Sequence, residues 1–115
     1  MDPSAENLPL LVVTTVATRE QALALARELV ERRLAACAQI SAIDSVYRWQ
    51  GTVHEEGEFR VLFKTRADAY AAVEAAIRER HPYELPAIHA VATVQAHAAY
   101  AEWVVASTQP APGAD

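Results

Sequence analysis

Between Leu34 and Arg66 the chain runs LAACAQISAIDSVYRWQGTVHEEGEFRVLFKTR, two arms rich in β-branched and aromatic residues on either side of Gln50-Gly51. Such residues favour strands, and a glycine in a two-residue loop supplies the positive backbone angle that a tight hairpin demands. Each arm is about fifteen residues, so at ~3.3 Å per residue the hairpin extends on the order of 50 Å. A domain of this length has a radius of gyration near ~13 Å, and its strands seldom exceed about ten residues. Part of the hairpin therefore projects and requires other surface, which implies oligomerisation, with ligand sites between subunits.

The arms do not alternate cleanly. Cys37, Gln39, Ser41, Ile43, Ser45, Tyr47 and Trp49 share one parity, with Ile40, Asp44, Val46 and Arg48 on the other. A bulge near Ser41 to Ser45 is expected, separating an inner half packed in its own sheet from an outer half that projects. In the returning arm Phe59, Val61 and Phe63 oppose Arg60, Leu62 and Lys64.

Around the hairpin the pattern alternates strand and helix. Leu8 to Val16 reads as a buried strand. Thr18 and Gln21 have the spacing of a capping box, opening a helix whose apolar face is Ala22, Leu25, Ala26, Leu29 and Val30, with a Glu28/Arg32 pair on the polar side. After the hairpin, Thr65 and Asp68 can start a second helix with Tyr70, Val73 and Ile77 inward; Pro82 ends it at His81. Pro86 to Gln95 gives a further strand, and His97 to Ser107 a final helix with Tyr100, Trp103 and Val104 on one side.

The order is βαββαβ plus a C-terminal helix. With right-handed crossovers this predicts an α+β fold, a ferredoxin-like sandwich with two helices on one sheet face and none on the other. Three such bare faces packed together would cover themselves and take up the hairpins. The domain is expected over residues 8–109, with disordered polar tails at 1–7 and 110–115.

A net charge of -5 with no Lys/Arg run argues against non-specific nucleic-acid binding. Cys37 is the only cysteine, so no intrachain disulfide forms and a reducing cytoplasm is the simplest home. The apolar run Leu8 to Ala17 is too short and too interrupted for a membrane span or signal peptide.

The residues that carry chemistry gather at two places. His81, Tyr83 and Glu84 follow a helix end, where an imidazole, a phenol and a carboxylate can surround one opening; the plain structural role is a helix cap and an interface aromatic. Tyr47 and Trp49 near the hairpin turn suit either an interface or the wall of a ligand cleft facing Lys64 and His81 of a neighbour. Lys64 offers a fixed charge for an anion or for Glu58. His54, Glu55, Glu56 and Glu58 suit a hard cation, or simply a charged hairpin edge that discourages aggregation. Cys37 reads as a packing residue, and His89 and His97 as structural or exposed. No Ser-His-Asp order, P-loop, GxGxxG or HExxH supports a familiar enzyme class.

Leu34-Ala35-Ala36-Cys37, Tyr47-Arg48-Trp49-Gln50-Gly51, Phe63-Lys64-Thr65 and His81-Pro82-Tyr83-Glu84-Leu85-Pro86, in this order, resemble the CutA family of divalent-cation tolerance proteins. The similarity covers about residues 10–107. It implies a homotrimer of PII-like architecture, cytoplasmic in bacteria and linked to tolerance of copper and other divalent metals. The copper ligands proposed in that family are a cysteine in the first strand and two histidines ahead of Pro-Tyr. Here those positions hold Thr14 (Thr15 if the register slips by one), Arg80 and His81.

The expectation is a non-enzymatic homotrimer that binds Cu2+, another divalent cation or a small polar molecule in inter-subunit clefts. Tyr47, Trp49, Lys64, His81, Tyr83 and Glu84 line the cleft, His81 is the metal ligand, and Tyr47, Trp49 and Phe63 form the interface. Two alternatives stand beside it. One is a PII-like signalling or scaffold trimer that docks to a partner protein. The other is a small hydrolase or lyase using His81, Glu84 and Lys64.

Overall fold

The computed structural model describes residues 7–110. The expected tails therefore lie outside the described residues, apart from Asn7 and Pro110. The elements are β1 (Pro9–Val16), α1 (Arg19–Glu31), β2 (Cys37–Trp49), β3 (Thr52–Arg66), a 3-10 turn (Ala67–Ala69), α2 (Tyr70–Arg80), β4 (Ile88–Ala92) and α3 (Ala98–Ser107). All strand pairings are antiparallel and the sheet order is β2-β3-β1-β4, the ferredoxin-like arrangement expected from the element order.

Helix α1 starts as its sequence dictates. The Thr18 hydroxyl accepts from the Gln21 N–H at 3.1 Å, and the Gln21 side chain accepts from the Thr18 N–H at 3.1 Å. Ala22, Leu25, Ala26 and Leu29 are buried, whereas Val30 is exposed. They pack with Val12, Val16, Val61, Phe63, Val73, Ala76 and Ile77 into one core on the helix side of the sheet. Phe63 is 0% exposed there, so it is a core residue and not the interface residue expected. Its burial contributes roughly 1.5–3 kcal/mol, and its side chain has no surface to offer another subunit.

The second helix begins later than its sequence suggested. Thr65 remains in β3, 0% exposed, and its hydroxyl donates to the Leu34 carbonyl at 2.7 Å. Tying the hairpin's two roots together takes precedence over capping a helix, and the 3-10 turn intervenes before α2. The helix does stop before Pro82, with His81 extended at φ -71 and ψ 132. Strand β4 is only five residues, because Pro86 and Ala87 precede it without pairing.

No bulge divides the hairpin. Its register runs unbroken from Cys37↔Lys64 to Trp49↔Thr52, and Gln50 (φ 50) and Gly51 (φ 80) close it with two positive angles, as a type I′ turn requires. The division comes instead from β1, whose pairing with β3 ends at Val16↔Phe59. From Ile43↔Glu58 outward the hairpin is a ribbon with no third strand beside it among the described residues. That ribbon is about 20 Å long, and it accounts for a molecule 48 Å in its longest dimension with a radius of gyration of 15.4 Å.

The second sheet face is not wholly bare. Ala101 and Val104 of α3 are buried outside the main core cluster, and Lys64, on the face opposite Phe63, lies 5.6 Å from the Tyr100 ring centroid. Two arginines fasten the helix end: Arg33 donates to the carbonyls of Ala106 and Gln109, and Arg66 to the hydroxyl and carbonyl of Thr108. So α3 covers the root of that face, and the outer part stays open.

Candidate functional site

The site forms where β1 stops. β4 pairs with β1 only as far as Thr14↔Ile88, and one residue on, the Thr15 carbonyl accepts from His81 Nε2–H at 2.8 Å. The other ring nitrogen, Nδ1, accepts the Tyr83 N–H at 3.1 Å. This pair of bonds selects the neutral Nε2–H tautomer, and burial lowers the imidazole's pKa in the same sense, partly offset by the Thr15 carbonyl and Glu58.

The chain's turn at Pro82 then brings Tyr83 back to β3. Its ring meets His81 edge-on, with centroids 4.9 Å apart, and its hydroxyl donates to Glu58 Oε2 at 2.7 Å. Glu58 belongs to the first register pair beyond the end of β1 and is 8% exposed. Tyr83's pKa is pushed well up by burial, then by the Glu58 carboxylate and by Glu56 beyond it. Tyr83 is thus a neutral donor throughout the physiological range. Further out, Tyr47 stacks on its cross-strand partner His54 at 5.3 Å, and its pKa is raised by lost hydration and by Glu56.

The expected cleft residues divide accordingly. His81 packs on Tyr83, and Tyr83 alone bonds Glu58; Tyr47 stands further along the ribbon; Trp49 is beside the turn, 37% exposed. Lys64 is six residues along β3 from Glu58, roughly 20 Å away, against Tyr100 and not against Glu58. Glu84 is exposed and makes no hydrogen bond among the described residues. Within one chain the His81, Glu84 and Lys64 constellation of the hydrolase reading does not assemble.

The inherited copper donors do not fit this chain. Thr14 is 1% exposed on the core side of the sheet, Arg80 is bonded to Glu28 at 3.1 Å, and His81 has committed both ring nitrogens to backbone partners. His81, expected as a metal ligand, is a clamp between the end of β1 and the Pro82 turn. Among the described residues no three His, Cys, Asp or Glu side chains gather to hold a metal ion.

Glu58 is the residue that the sequence concealed. It reads as one of several edge carboxylates; strand parity separates it from Glu55, and the point at which β1 ends separates it from Glu56. The Arg33 and Arg66 fastenings of α3 were equally invisible, because they join residues far apart in the chain.

No helix among the described residues is long and apolar enough to cross a membrane. The sequence model of the CutA1 divalent ion tolerance protein family matches residues 10–107. A divalent-cation tolerance protein CutA of Thermus thermophilus is 37% identical over 99 residues, 85% of this chain and 96% of that one. A probable homologue from Encephalitozoon cuniculi is 40% identical over 96 residues, 84% of each chain. The solved structure of CutA from Synechococcus elongatus superposes with a TM-score of 0.86 at 36% identity, covering 90% of this chain and 92% of that one. The names of the Thermus and Encephalitozoon relatives describe tolerance of divalent cations and not catalysis. A family match across the whole sheet and all three helices leaves one conclusion: this chain belongs to the CutA1 divalent ion tolerance family.

Proposed function

We propose that the protein acts as a homotrimer in the response to divalent metal ions, in the cytoplasm, and binds a metal ion or small polar molecule in clefts between its subunits. The observation that carries this reading is the unsupported ribbon. A two-stranded hairpin is at best marginally stable alone, yet this one extends seven residue pairs past the end of β1, from Ile43↔Glu58 to Trp49↔Thr52. It carries Val46 (66% exposed), Val53 (55%), Tyr47 (38%) and Trp49 (37%) into solvent. Among the described residues the outer edge of β2 is also unpaired over its whole length, a template for another chain. A second and third copy supply the missing surface.

The cleft reading follows from the same geometry. Glu58, Tyr83 and Tyr47 look onto the face that the neighbour would cover, so a ligand there is enclosed by two chains. A metal ion at this place takes donors from more than one copy. Its oxygen-rich surroundings suit a hard cation better than copper, which favours thiolate and imidazole. Calorimetric titration of the assembled protein with Cu2+ and with Mg2+ tests the metal arm. Saturable heat with either ion supports it; no heat with either ion removes it and leaves the small polar molecule.

A further inference from the structure

Glu58 is 8% exposed, and among the described residues its one hydrogen-bond partner is the Tyr83 hydroxyl. Among the described residues no Lys, Arg or His stands within ion-pair distance of it. Buried carboxylates persist when a cation or several donors compensate them. One phenol is incomplete compensation: of the two charged neighbours on the same strand face, Glu56 has the wrong sign, and the exposed Arg60 makes no ion pair with Glu58 among the described residues.

The opposite deficit lies at the other end of the same ribbon. Between Ile43 and Glu58 the only Lys or Arg is Arg48, which is exposed and has no carboxylate within ion-pair distance among the described residues. The two cannot meet within one chain. Arg48 is in register with Val53 and Glu58 with Ile43, five residues along β2 and on opposite ribbon faces, roughly 16 Å apart.

We propose that Arg48 of a second copy completes Glu58, so that the Glu58–Tyr83 site exists in full only between subunits. The inference rests on the self-assembly reading and goes further, by naming the group each copy gives and receives. A guanidinium suits the position, because it offers several fixed donors to a carboxylate whose other oxygen is free of Tyr83. The projecting ribbon is the part of the molecule able to carry it across. Each copy would then contribute an arginine near its hairpin tip and a carboxylate at the base of its unsupported ribbon, a head-to-tail contact of the kind that closes into a ring.

The experiment is sedimentation over a dilution series with the parent chain, Glu58→Gln, Arg48→Gln and the double variant. Each single change is expected to weaken assembly roughly 100-fold, and the double variant no further than the worse single, because the two groups act as one pair. Arg48 is exposed, so its variant folds even where Glu58→Gln does not. Assembly of Glu58→Gln as tight as the parent overturns the proposal. So does an Arg48→Gln variant that assembles normally, or a double variant in which the losses multiply. A parent chain that is monomeric at every concentration overturns the self-assembly reading itself, whereas an assembled parent with indifferent variants overturns the ion pair alone.

Discussion

Replacing His81 by alanine removes the two bonds that hold the end of β1 to the Pro82 turn. The Nε2–H bond to Thr15 is 2.8 Å and the Nδ1 bond from the Tyr83 N–H is 3.1 Å, both partly buried. At about 1 kcal/mol net for each bond, and more where the Thr15 carbonyl and Tyr83 N–H are left without water, the loss is roughly 2–3 kcal/mol. The pH dependence carries a second signature. Burial holds the folded imidazole below its ordinary 6.5, so the unfolded chain takes up the proton first. The His81 contribution is complete above about pH 6.5 and is lost as pH falls through the depressed folded value. Urea unfolding at one fixed protein concentration, at pH 7.5 and pH 5, measures both effects. The parent should lose more stability on acidification than His81→Ala, the difference cancelling the carboxylates and histidines common to both. A variant within about 0.5 kcal/mol of the parent at pH 7.5, or parallel pH profiles, would refute the clamp.

Thr65→Val keeps the shape of a fully buried residue and leaves the Leu34 carbonyl without its 2.7 Å donor; urea unfolding should show a loss of about 1–3 kcal/mol. Gly51→Ala meets no atom within 4 Å at its new Cβ, so its cost, about 1 kcal/mol by thermal unfolding, comes only from the φ of +80. Arg66→Ala removes the bonds to Thr108 at 2.8 and 3.2 Å, and hydrogen exchange should quicken at the end of α3 while α1 is unchanged. The Asp68 pairing lost with it contributes little, since that carboxylate is 75% exposed.

The parts of this fold legible in the sequence were those governed by neighbours in the chain. The Thr18/Gln21 capping box, the Gln50-Gly51 turn, the stop before Pro82 and the apolar stripe of α1 are local, and each is where its residues place it. Errors arose where a distant partner decided the outcome. Thr65 reads equally well as a helix cap until Leu34 is known to lie across from it. The uneven polarity of β2 suggested a bulge, but it reflects where β1 stops supporting the hairpin, a fact written in β1. Phe63, expected at the interface, shares parity with Phe59 and Val61 along the strand, and that parity puts it on the core face. At the candidate site, His81 and Tyr83 are legible by residue type, whereas Tyr83's partner Glu58 requires the three-dimensional path of the Pro82 turn.

The mass of the native assembly tests the central claim most directly, because the bare ribbon, the open sheet face and the site between chains all depend on other copies. Native mass spectrometry of protein isolated without chelator should give about three times the 12.5 kDa chain mass, together with the added mass of any ligand retained. A single 12.5 kDa species at micromolar concentration would contradict the account.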